Sequence, residues 1–165
     1  MPNKVYAAPG TALSFKSSGG DATITPTSVA NGAGRLSARL DRGSASQPIV
    51  YRWWCRVKTA SSATVGRTLR LYLACSETST GSVDTDGTFD ETDQAVSTED
   101  RYRNCLMLGV VQADQAATGS FVASGLVEIR ARYVQIGFFN DLNAALSGTA
   151  SDFECRLIPQ PDEIQ

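Results

Sequence analysis

The chain contains no histidine and only three lysines, Lys4, Lys16 and Lys58. Without an imidazole, Ser-His-Asp and Cys-His nucleophile systems and histidine-ligated metal sites are excluded. No G-x-S-x-G, P-loop or dinucleotide fingerprint occurs. Carboxylate-only and lysine-based mechanisms stay open, but no residue pattern singles one out. The expectation is a protein that is not an enzyme and has no cofactor and no metal. Long apolar runs are also missing. No stretch approaches the roughly 18 apolar residues of a membrane span, and Met1–Gly10 has no apolar run of signal-peptide length. No membrane partner is expected, and the expected setting is a cytoplasm, or a particle assembled in one, where thiols stay reduced.

Net charge is also small, −2 over 165 residues, which excludes a bulk polyanion binder. The balance hides an uneven distribution. Eight acids lie between Glu77 and Asp100 with no Lys or Arg among them. Outside that segment fifteen cations face nine acids, a net +6. An acidic loop, residues 77–101, therefore hangs from a mildly basic body. Its run Asp84 to Asp93 has the look of a calcium loop, but Gly87 arrives two residues early for an EF-hand. A solvated loop and divalent-cation binding both remain open there.

What is abundant is period-two alternation. Ile49, Tyr51, Trp53, Cys55 and Val57 share one face, while Val50, Arg52, Trp54, Arg56 and Lys58 share the other. Strands are expected over 12–15, 22–25, 35–40, 49–58, 67–75, 105–111, 119–123, 126–139 and 152–158. Clusters such as Ser17-Ser18-Gly19-Gly20, Asn31-Gly32-Ala33-Gly34 and Asn140-Asp141 separate them. The segment 126–139 is long enough for a helix, but its β-branched and aromatic content favours a long, bent or bulged strand. One all-β domain spanning 1–165 is expected, an antiparallel β-sandwich of about eight strands, jelly-roll-like, with extended termini. Residues 1–11 read as an N-terminal arm and 159–165 as a C-terminal tail whose prolines block ladder bonds.

Two constellations could carry function. Cys55, Cys75, Cys105 and Cys155 each fall on the apolar side of an expected strand, and none forms C-x-x-C. Buried thiols packing as small hydrophobes, cross-strand disulfides and a four-thiolate zinc site are the readings, in that order. The second is the polar face of 49–58, where Arg52, Trp54, Arg56 and Lys58 are joined by Arg70 and Tyr72 of the next strand. Such a face can be covered by loops, can dock a protein, or can stack on bases or sugars.

Several blocks carry a resemblance. They are Met1 to Ala12, Gly32 to Arg42-Gly43, Phe121-Val122-Ala123-Ser124-Gly125 through Tyr133-Val134, Asn143 to Ser147, and Arg156 to Gln165. Together they resemble small virion proteins of tailed bacteriophages, namely head decoration (cement) proteins or tail-associated β-sandwiches. A second likeness, Ala131-Arg132-Tyr133-Val134-Gln135-Ile136, is similar to a core strand of discoidin-type sugar-binding jelly-rolls. The first resemblance implies a capsid decoration protein on the virion surface, assembled in the host cytoplasm. It would bridge capsid subunits non-covalently, with the major capsid protein and further copies of itself (trimer or dimer) as partners and no specific nucleic acid. The alternative is a tail- or surface-associated lectin-like module binding host glycan. The residues expected to touch partners are Pro2, Asn3, Lys4, Val5 and Tyr6 in the N-terminal arm and Pro159, Pro161 and Ile164 in the tail. Arg52, Trp54 and Arg56 come next.

Overall fold

The computed structural model describes residues 5–6, 10–43, 47–79, 90–160 and 163–164. Among them are thirteen strands and two short 3-10 turns, with no α-helix. One five-stranded sheet is built from β2 (Leu13–Lys16), β3 (Ala22–Thr23), β6 (Val50–Lys58), β10 (Ser120–Glu128) and β12 (Phe153–Pro159), in the order β10-β6-β12-β2-β3. The second sheet runs β8-β4-β11-β7-β9, from β4 (Ala33–Leu36), β7 (Thr68–Ser76), β8 (Gln94–Val96), β9 (Leu106–Gln112) and β11 (Tyr133–Asp141). A short strand, β5 (Leu40–Asp41), pairs beside β11.

The pairing is nested. Of the eight main strands, the first pairs with the last (β2–β12), the second with the seventh (β4–β11), the third with the sixth (β6–β10) and the fourth with the fifth (β7–β9), all antiparallel. A long hairpin folded in this way and wrapped into two sheets is a jelly-roll. Inward residues of both sheets interdigitate in one core, with Phe15, Tyr51, Val57, Leu71, Ile136, Phe138, Phe153 and Leu157 at its centre. Each such side chain contributes about 1.5–3 kcal/mol on burial.

Four expectations are corrected. Residues 126–139 are not one bent strand. β10 ends at Glu128, the chain crosses between sheets, and β11 begins at Tyr133. β11 is buried on both faces, so it shows no period-two polarity at which to place the break. Residues 35–40 split into β4 and β5, because the Ser37 hydroxyl accepts the Ile136 N–H at 3.0 Å and interrupts the ladder. Ile49 precedes β6 and is exposed instead of sharing the buried face of Tyr51. Pro159, placed at the start of the tail, ends β12 and is buried.

The chain ends lie together. β1 (Val5–Tyr6) pairs antiparallel with β13 (Glu163–Ile164), matching Val5 to Ile164 and Tyr6 to Glu163. Beside them the Gln160 N–H donates to the Val50 carbonyl at 2.9 Å. The arms thus find a partner within their own chain, which tail composition alone did not suggest. Pro2, Asn3, Lys4 and Pro161 lie outside the described residues.

The acidic segment is the other departure. Residues 80–89, with most of the apparent calcium loop, lie outside the described residues. From Asp90 onward the segment is not a solvated loop: it adds β8 to the sheet edge beside β4, and the 3-10 turn that follows (Glu99–Tyr102) brings Tyr102 over the outer face of the sheet, onto Tyr72. Val96 and Tyr102 join Leu36, Tyr72, Ala74 and Phe139 in a second apolar cluster. Carboxylates meet arginines around it. Asp93 takes a two-pronged contact from Arg35 at 2.7 and 3.1 Å, and Glu91 and Glu99 lie 3.7 and 2.5 Å from Arg39 and Arg70.

Candidate interaction face

The two outer faces of the sandwich differ. One is covered by the chain's own acidic return. The other, formed by β10, β6, β12 and β2, has no element across its centre among the described residues. Strand register arranges this bare face. Arg52, Trp54 and Arg56 alternate with the buried Tyr51, Trp53, Cys55 and Val57. Across the ladder Trp54 stands between Ser124 of β10 and Arg156 of β12. Arg52 stands between Leu126 and Ile158, and Arg56 between Val122 and Glu154. The result is a two-dimensional lattice of cations on apolar and aromatic ground.

Its internal contacts are few. The Arg156 guanidinium lies 5.6 Å over the Trp54 ring and donates to Glu154 at 2.8 Å. Arg56 Nη2 donates to the Ser151 carbonyl at 2.9 Å, and its buried Nε has no partner. Lys58 Nζ is 3.5 Å from Asp152, whose carboxyl the Ser147 hydroxyl, and then Lys58, hold below the usual range. Arg52 makes no ion pair among the described residues. A shallow groove of about 360 Å³ runs between Arg52, Trp54, Arg56, Glu154, Arg156 and Ile158. Cations outnumber acids on it, so it suits an anionic or carboxylate-bearing surface.

The structure brings Arg52, Trp54 and Arg56 together as the alternation predicts. It separates Arg70 and Tyr72 from them. Those two belong to the opposite outer face, where Arg70 pairs with Glu99 and Tyr72 donates to Glu99 and stacks on Tyr102. Sequence reasoning missed Val122, Leu126, Arg156 and Ile158. The alternation of β12 carried the signal for Arg156 and Ile158, but only the β6–β12 and β6–β10 registers set all four beside Trp54.

The cysteines divide similarly. Cys55 and Cys155 are direct cross-strand partners, fully buried, and neither is in a disulfide. The hydrogen bond between the two thiols, reinforced by burial, pushes the Cys55 thiol well up, which disfavours its thiolate. Cys75 and Cys105 are half-buried, and Cys105 lies before β9 beside the second apolar cluster instead of inside a strand. Among the described residues no group of three His, Cys, Asp or Glu could hold a metal ion, and no helix is long and apolar enough to cross a membrane.

One pH expectation follows. The resolved carboxylate shifts, at Asp21, Asp41, Asp90 and Asp152, are all downward. For Asp41 the Arg132 guanidinium and then the Gly43 N–H take the pKa from 3.8 to about 2. Folded values below unfolded ones stabilise the fold above the unfolded pKa, and that contribution is lost as pH falls through the folded pKa. With no histidine to titrate, the melting temperature is expected to stay flat from about pH 5 to 8 and to fall below about pH 4. Thermal melts across buffers check this. A step of several degrees near pH 6.5 would contradict it.

The fold and this face define a jelly-roll β-sandwich with one self-covered and one bare, cationic outer face. No protein-family model matches the chain, and no curated protein matches it.

Proposed function

We propose that this chain is a structural protein of a tailed-bacteriophage particle, a capsid decoration protein that docks on the shell through the bare β10-β6-β12 face. The observation that carries the docking surface is the lattice of Arg52, Trp54, Arg56 and Arg156 with Val122, Leu126 and Ile158, left bare while the opposite face is covered. Trp and Arg on apolar ground are the residue types that dominate interface energetics. The decoration role itself rests on the sequence blocks resembling phage virion proteins. The mechanism is non-covalent: each copy bridges neighbouring capsid subunits, and many copies sum modest interfaces against internal pressure.

The test is binding of purified protein to capsids that lack it, read by co-sedimentation, together with copy counting in purified virions. Trp54→Ala and Arg52→Glu are each expected to weaken binding about 30-fold, roughly 2 kcal/mol. Stoichiometric occupancy supports the shell reading. A handful of copies per virion, or variants that bind like wild type, overturns it.

The groove around Trp54 also supports a second reading, a lectin-like module for host glycan, since an aromatic ring flanked by arginines and a carboxylate can seat a sugar. A glycan array with the isolated protein distinguishes the two.

A further inference from the structure

Seven large apolar side chains are exposed among the described residues, and five sit on two strands: Leu106, Met107 and Val110 on β9, Val122 and Leu126 on β10. Their exposures are 52, 48, 39, 54 and 69%. Both strands are sheet edges on the same side of the sandwich. Among the described residues β9 pairs only with β7, β10 pairs only with β6, and the two do not pair with each other. Trp53 fills the seam between them. Its cross-strand partner is Gly125, and its indole lies so close to Gly125 and Gly109 that a Cβ at either would sit 2.6 Å from it. The seam is therefore closed from inside by a ring, while the strand edges stay open outside.

The other two sheet edges are managed differently. β3 has two residues and follows Asp21, and β8 has three and follows Asp93. Short edges flanked by charge resist pairing with other chains. β9 has seven residues, Leu-Met-Leu-Gly-Val-Val-Gln, with no charge, and β10 has nine, with only Glu128 at its end. Such edges invite a further strand.

We propose that the β9–β10 edge is a self-association surface, and that its occupant is a second copy of this chain. Charge decides between occupants. An acidic partner finds its cations on the Arg52–Arg56 face, not here. In a twofold pairing each strand meets its own equivalent, so a charged edge would repel itself. The uncharged β9 edge has no such penalty. Antiparallel pairing of two β9 edges satisfies backbone groups left open by β7 and covers Leu106, Met107 and Val110, with Val122 and Leu126 at the margin. The β9 edge belongs to the opposite sheet from the shell-docking face and shares only its margin, Val122 and Leu126, with it, so changes confined to β9 test self-association without touching Arg52, Trp54 or Arg56.

Sedimentation velocity on the isolated full chain tests it, over about 1 to 200 µM. Wild type is expected to shift from monomer to dimer in that range. Met107→Lys with Val110→Lys is expected to weaken association at least tenfold without changing the circular dichroism spectrum. Leu106→Lys, exposed on β9 and outside the docking lattice, reads the same edge should the double variant not fold. Thr23→Lys, exposed on β3 at the far edge of the five-stranded sheet, is expected to leave association unchanged. A wild type that stays monomeric throughout overturns the proposal. So do edge variants that associate like wild type, or a Thr23→Lys loss equal to theirs.

Discussion

Arg42→Leu is expected to destabilise the fold by about 3 kcal/mol, with a fall in melting temperature of roughly 6–12 °C for a chain of this size. Arg42 is 7% exposed, and none of the acceptors it reaches is a carboxylate. Its guanidinium donates instead to the carbonyls of Ile129, Ala131 and Pro48 at 3.1, 2.6 and 2.5 Å and to the Tyr51 hydroxyl at 3.0 Å. It also lies 5.0 Å over the Tyr51 ring. Ile129 and Ala131 form the crossover from β10 to β11, where the chain leaves one sheet for the other. Pro48 leads into β6 and supports Gly10 beside Pro159, near the paired chain ends. One side chain thus ties together the sheet crossover and the entry to β6.

Replacing it with Leu relieves the cost of a buried charge but leaves several acceptors without a donor, and the second effect is larger because those groups cannot all reach water. Arg42→Lys keeps the charge but not the planar fork, so an intermediate loss is expected. Chemical denaturation of the three proteins measures this. If Arg42→Leu lies within about 0.5 kcal/mol of wild type, the range of an ordinary surface substitution, then Arg42 is not a clamp.

Neither this clamp nor the bare face could be read whole from the chain. Strands with one wet face announce themselves: β6, β10 and β12 alternate, and so the all-β sandwich and the outward-facing Arg52, Trp54 and Arg56 were legible. Strands wet on neither face do not. β11 is buried on both sides, and 126–139 therefore read as one element. β7 was legible as a strand over 67–75, but the burial of Tyr72 and Ala74 on its outer side beneath the acidic return was not. Pairing across the sheet was also hidden. That Cys55 opposes Cys155, or that Leu126 flanks Arg52, depends on register between strands far apart in sequence. Arg42 gave no sign because a buried arginine held by carbonyls has the same local sequence as an exposed one.

The acidic return decides which face is free, and Tyr102 fastens it. Tyr102→Ala is expected to cost about 3–5 kcal/mol, the range for removing a large buried ring. The Tyr102 ring is 1% exposed, stacked on Tyr72 at 4.5 Å with the planes 2° apart, and its hydroxyl donates to the Arg35 and Phe138 carbonyls at 2.8 and 3.2 Å. It occupies space that only glycine leaves, since a Cβ on Gly137 would come within 2.5 Å of it. The ion pairs around it, Arg35–Asp93 and Arg70–Glu99, are partly exposed and worth less, so they cannot hold the segment once the ring is gone. Loss of Tyr102 should therefore free residues 94–105 locally before the sandwich opens, because the main core does not include them.

Hydrogen exchange separates the two events. Amides of β8 and the 3-10 turn should lose protection in Tyr102→Ala, while those of β6 and β12 keep theirs. Tyr102→Phe, which keeps the ring and loses two hydrogen bonds, should cost about 1–2 kcal/mol and leave the segment in place. Uniform loss of protection across both sheets would show that the return is part of the global fold and not a separate cover. With the cover released, Arg35, Arg70 and Tyr72 become a second cationic, aromatic face, and the molecule loses the difference between its two sides. Under the proposed shell-docking function, a single orientation on the shell depends on that difference. Tyr102→Ala is accordingly expected to bind capsids in mixed orientations, visible as blurred decoration density at normal occupancy, whereas Trp54→Ala lowers occupancy itself.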